Sequence, residues 1–165
     1  MQQRVLGLCV VALALVMASA RSASAQDPAT FSLSYDFVYR ELSETSVVGA
    51  HADVAKPFGP LWGLAEAGVN RFDGYTDVSI AGGGRYVVAR GARSTIQPAV
   101  QVLLGLWRCG ACHVTEAFLQ PGVLIDYAKS ESLTIRGQVD VRRIFFEFGG
   151  ENAVRLSIGL VWDLD

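Results

Sequence analysis

From Leu133 to Arg142 the sequence reads Leu-Thr-Ile-Arg-Gly-Gln-Val-Asp-Val-Arg, an unbroken alternation of two kinds of residue. In an extended chain Leu133, Ile135, Gly137, Val139 and Val141 share one face, and Thr134, Arg136, Gln138, Asp140 and Arg142 share the other. Ten residues of this period predict a strand that is apolar on one side and strongly polar on the other. Few water-soluble strands set Arg, Gln, Asp and Arg between aliphatics without a break. A wall with lipid on one side and a hydrogen-bonded lumen on the other requires that pattern.

The start of the chain reads differently. Arg4, the uncharged apolar run Val5 to Ala20, and Ala23-Ser24-Ala25 make a signal peptide over residues 1–25, cut before Gln26. Ala18-Ser19-Ala20 is a second possible cleavage site. The apolar run is short for a bilayer-spanning helix. Cys9 does not read as a lipoprotein cysteine, because it lies too early and follows Leu8 rather than a small residue. About 140 residues then form one domain, 26–165. The net charge of -2 offers no basic stripe for phosphates, so nucleic acid is excluded as a partner.

Turn and period signals divide the mature chain into eight strands: Phe31–Arg40, Val47–Ala55, Leu61–Phe72, Thr76–Val87, Thr95–Arg108, Thr115–Tyr127, Leu133–Arg142 and Ala153–Leu164. Lys56 to Pro60 reads as a turn, since neither Pro57 nor Pro60 can donate to a ladder. Phe146 to Asn152 reads as the last loop. Gly82-Gly83-Gly84 reads as a barrel kink, because the strand-to-helix setting and the Lys-Ser/Thr of a phosphate loop are missing.

The apolar faces are Val, Ile, Leu, Ala and Gly. The polar faces carry Asp53, Glu66, Asn70, Arg85, Gln97, Gln101, Gln120, Asp126, Arg136, Gln138, Asp140, Arg142 and Arg155. Gln and Arg of mixed company suit a dense internal network better than a solvated surface, which favours Lys and Glu. The expected fold class is therefore all-β, an eight-stranded antiparallel up-and-down transmembrane barrel with its charges inside. A lipocalin-like barrel, apolar inside, is the alternative.

With the signal peptide and meander, the stretch Pro121-Gly122-Val123, Asp126-Tyr127, Leu133-Thr134-Ile135-Arg136 and Val139-Asp140-Val141-Arg142 resembles small outer-membrane β-barrel proteins, the OmpA-like and porin-family eight-stranded barrels. The resemblance implies an outer-membrane location, with outer-membrane lipid as partner and an envelope protein or surface ligand as a further one.

For an eight-stranded barrel the expected interior is a plugged network of Glu66, Gln101, Gln120, Arg136, Gln138, Asp140, Arg142 and Arg155, not a pore. The expected role is structural or binding, as a monomer, with no catalytic residue, cofactor or metal assigned. Cys109-Gly110-Ala111-Cys112-His113 matches the c-type haem attachment pattern, but a hairpin loop lacks the enclosing pocket that haem needs. A Cys109–Cys112 disulfide is the expected state in an oxidising compartment. His51 and Asp53 share a face and admit a lipid-modifying enzyme, for which Ser79 and Ser157 are the nucleophile candidates by parity.

Overall fold

The computed structural model describes residues 28–59, 61–72, 74–88, 96–110, 114–130, 133–147 and 149–164. They form eight strands: β1 (Ala29–Arg40), β2 (Thr45–Phe58), β3 (Leu61–Phe72), β4 (Tyr75–Val87), β5 (Ile96–Arg108), β6 (Thr115–Ala128), β7 (Leu133–Phe146) and β8 (Gly149–Leu164). Each pairs antiparallel with the next, and β8 pairs back onto β1, closing a barrel with no free edge. The signal-peptide segment lies outside the described residues.

Register fixes the width of the cylinder. Crossing the wall from Thr30 through Ala55, Leu64, Gly83, Leu103 and Gln120, then Arg142 and Ala153, returns to β1 at Arg40, ten residues above the start. Eight strands with that stagger tilt by roughly 40° and enclose a backbone radius of roughly 8 Å. Such an interior fits side chains and little else. Because the stagger is even, every residue on this path faces inward.

The wall is inverted relative to a soluble protein. Asp36, His51, Asp53, Glu66, Arg85, Gln101, Gln120, Arg136, Gln138, Asp140, Arg142 and Arg155 are buried, while Leu104, Val123, Ile125, Leu156 and Ile158 stand on the outside. This overturns the lipocalin-like alternative. From the tilt, the outward apolar residues span about 25 Å along the axis. Aromatics border that belt at both ends: Phe31, Phe58, Tyr86, Tyr127 and Trp162 near the termini, Tyr39 and Phe145 at the far end. Phe31 and Trp162 stack across the β1–β8 seam, ring centroids 5.9 Å apart.

Most strand ends shift by a residue or two from the sequence reading, and the larger differences lie at two places. Lys56, Pro57 and Phe58 belong to β2, and Pro57 pairs with Trp62. Beyond Ala55 the β1 pairing has stopped, so β2 has one unpaired flank there, the situation in which a strand tolerates proline. The supposed last loop is mostly strand. Ile144 continues the inward set and Phe145 the outward one, so β7 runs to Phe146. β8 begins at Gly149, whose φ of 148° suits only glycine. The interior also carries more apolar surface than its alternation suggests. Trp107, Cys109, Phe118 and Ile144 pack together at the end away from the termini, and Ala55, Leu64 and Leu103 pack nearer the other.

Candidate functional site: the lumen

The inward side chains sort by height into three tiers. In the middle tier Arg155 is the hub. Its Nη1 and Nη2 donate to Glu66 Oε1 and Oε2 at 2.8 and 2.9 Å, and its Nε donates to Asp140 Oδ2 at 2.9 Å. Asp140 also accepts from Gln101 Nε2 at 3.2 Å and Gln138 Nε2 at 2.7 Å. Arg142 donates Nε to Gln120 Oε1 at 2.6 Å and lies over the Phe118 ring, 4.3 Å from its centroid. All eight residues named from the sequence face the lumen. Seven of them meet in this tier, and Arg136 lies below.

That lower tier, toward the termini, is built on Arg136. It forks onto Asp126 through Nε and Nη2 at 2.7 and 2.9 Å and reaches Asp53 Oδ2 through Nη1 at 3.1 Å. Ser32 Oγ also donates to Asp53. Asp53 and Glu66 are direct cross-strand neighbours, an arrangement that repels unless each is neutralised. Arg136 supplies one cation and Arg155 the other. Below lies an open vestibule of about 330 Å³, lined in part by Thr30, Trp62, Arg85, Gln97, Asp126 and Arg136.

At the far end Arg40 donates to Glu151 Oε2 through Nη2 at 2.5 Å and stands 3.5 Å from Asp77 Oδ2. Its guanidinium also lies 5.0 Å from the Trp107 ring centroid. The Trp107 cluster packs at the same end.

His51 was singled out for its neighbour Asp53, but Asp36 is its partner, at 2.8 Å from Nδ1. Asp36 belongs to the inward set Ser32, Ser34 and Asp36 of β1, whose outward face of Leu33, Tyr35, Phe37 and Tyr39 carries the stronger sequence signal. Ser157 donates to Asp36 Oδ1 at 2.7 Å, so the serine and the histidine share a carboxylate and do not bond each other. Ser79 is separated from His51 by Gly68, the neighbour of both on β3. His51 is 1% exposed, its imidazole enclosed among the lumen side chains. Among the described residues no group of three or more His, Cys, Asp or Glu is placed to hold a metal ion. Cys109 is buried, and Cys112 and His113 lie outside the described residues.

An eight-stranded barrel of opposite-sense strands, apolar outside and ion-paired within, is the class this geometry defines. Solved structures of that class share the fold. Neisserial surface protein A matches with a TM-score of 0.65 at 13% identity, over 82% of this chain and 96% of its own. The N-terminal barrel of Pseudomonas aeruginosa OprF gives 0.59 at 12% identity, over 83% of this chain and 100% of its own. Ail of Yersinia pestis gives 0.57 at 7% identity, over 84% of this chain and 99% of its own. No protein-family model matches the chain, and no curated protein matches it in sequence.

Proposed function

We propose that this chain is an outer-membrane β-barrel, exported through a signal peptide at residues 1–25, that acts in the envelope as a structural or binding element and not as a pore. The carrying observation is the inversion of the wall. An apolar belt of about 25 Å matches the hydrocarbon height such barrels cross, and stacked ion pairs occupy the space a channel needs. Strands that pair all round leave no backbone group unsatisfied in lipid. The connections at the end away from the termini are short, at 41–44, 73–74, 109–114 and 147–148. That favours a role for the wall over one for long displayed loops.

The mature protein is expected in the membrane fraction, and its gel mobility should change on boiling, as a closed barrel resists detergent until heated. Planar bilayers holding it should show no steady conductance. Recovery in the soluble fraction, or large stable channels, would overturn the reading.

The same compartment supports a Cys109–Cys112 disulfide, anchored where Cys109 packs against Trp107, Phe118 and Ile144. Mass spectrometry of non-reduced protein should show two hydrogens lost at this pair and no haem adduct. The closed loop is tiny, so reduction should cost the fold on the order of 2 kcal/mol at most.

A further inference from the structure

Every arginine inside the barrel has an acidic or amide partner, but the outward ones are arranged otherwise. Arg71, Arg108 and Arg143 lie on alternate strands, β3, β5 and β7, exposed on the outer wall. From register and tilt they stand within about 4 Å of one level, at the upper margin of the apolar belt. Each is the cross-strand partner of a small polar residue: Thr76 for Arg71, Thr115 for Arg108 and Asn152 for Arg143. The result is a collar over most of the circumference in which, among the described residues of the strands, cations alternate with small polar side chains and no outward residue at this level is acidic. Among the described residues one link runs from the collar to a carboxylate, and it is indirect. Arg143 Nη1 donates to Asn152 Oδ1 at 2.9 Å, and Asn152 reaches Glu41 from the β1–β2 loop.

We propose that this collar binds the phosphate groups of anionic membrane lipids. The inference rests on the membrane reading above, which puts headgroups at this level. The chemistry selects phosphate because two of its oxygens can accept together from a guanidinium's planar fork, and at Arg71 and Arg108 the neighbouring threonine hydroxyl adds a third donor. Simple snorkelling of long side chains needs neither the common level nor the repeated Thr or Asn partner. Register and strand spacing together put successive arginines roughly 12 and 16 Å apart along the wall, room for one headgroup at each.

The test is native mass spectrometry of the mature protein released from micelles, titrated with phosphatidylglycerol or phosphatidylcholine. Wild type should retain phosphatidylglycerol preferentially. The triple variant R71Q/R108Q/R143Q should bind it roughly 100-fold more weakly, about tenfold or less per arginine. Of the single changes, Arg143→Gln should matter least, since Asn152 already occupies that side chain. Inorganic phosphate at millimolar concentration should not displace the lipid, and displacement would indicate a free-anion site and overturn the assignment to lipid. Equal lipid retention by wild type and triple variant also overturns it. Heat-shifted mobility, measured on both proteins, separates the two readings. A wild type that folds and inserts but shows no lipid preference sinks the collar alone, and one that never inserts sinks the membrane reading with it.

Discussion

Arg155→Ala is expected to lower unfolding stability in detergent by about 3–5 kcal/mol, the usual cost of stranding one partner of a buried ion pair. The reason is the number of carboxylates that depend on it. Glu66 receives both of its Nη groups, Asp140 receives its Nε and has Nη2 at 2.7 Å, and Asp36 stands 3.8 Å from its Nη1. None of these acids is within reach of water in the middle tier. Val139→Ala supplies the comparison: Val139 is 43% exposed on the outer wall, where lipid closes the gap that two lost carbons leave. Denaturant unfolding followed by Trp62, Trp107 and Trp162 fluorescence should place the two midpoints far apart. Adding Glu66→Gln to Arg155→Ala should recover part of the loss, because one stranded charge is then removed. Equal midpoints for the two single variants would mean a hydrated, forgiving lumen.

Gly122→Leu should be comparably damaging, about 3 kcal/mol once overpacking and the displaced ion pair are combined. Gly122 faces inward opposite Asp140 and beside Gln101. A Cβ there falls on the Asp140 carboxylate and on the Val139 carbonyl. Asp140 must then leave Gln101 and Arg155, or the β6–β7 pairing must open. Gly137→Ala is the informative control. It lies outward on β7, a Cβ there meets nothing within 4 Å, and its stability should stay level or rise. Unfolding midpoints for both, with heat-shifted mobility as the check on closure, decide the matter.

These two sites show where the sequence was transparent and where it was not. Inward against outward is a local property with period two, so Glu66, Gln120, Arg136 and Arg155 could be placed by parity alone. Partners are a different matter. Asp126 and Arg136 are register neighbours across the short turn between β6 and β7, so counting back from the turn finds them. Asp140 and Arg155 are likewise neighbours across the β7–β8 turn, but reading residues 146–152 as a loop hid the count. Arg155 with Glu66 and Arg136 with Asp53 reach over the lumen between strands that do not pair. Those contacts depend on the stagger of the whole cylinder, which no stretch of sequence states. The apolar cluster of Trp107, Phe118 and Ile144 was hidden for the opposite reason: a hydrophobic residue on an inward position looks locally like a flaw in the alternation.

The seam between β1 and β8 also governs how the molecule can be made. Arg40 pairs with Ala153 and Ala29 with Leu164, so the first strand finds one of its two neighbours only in the sixteen residues of β8. A chain that stops short of β8 has two raw edges and a half-built lumen in which Glu66 and Asp140 lack Arg155, the base that neutralises them. No sub-barrel offers a stable resting point, and ring closure of this sequence span is slow by nature. The ring therefore commits to its shape in one late step, when β8 meets β1.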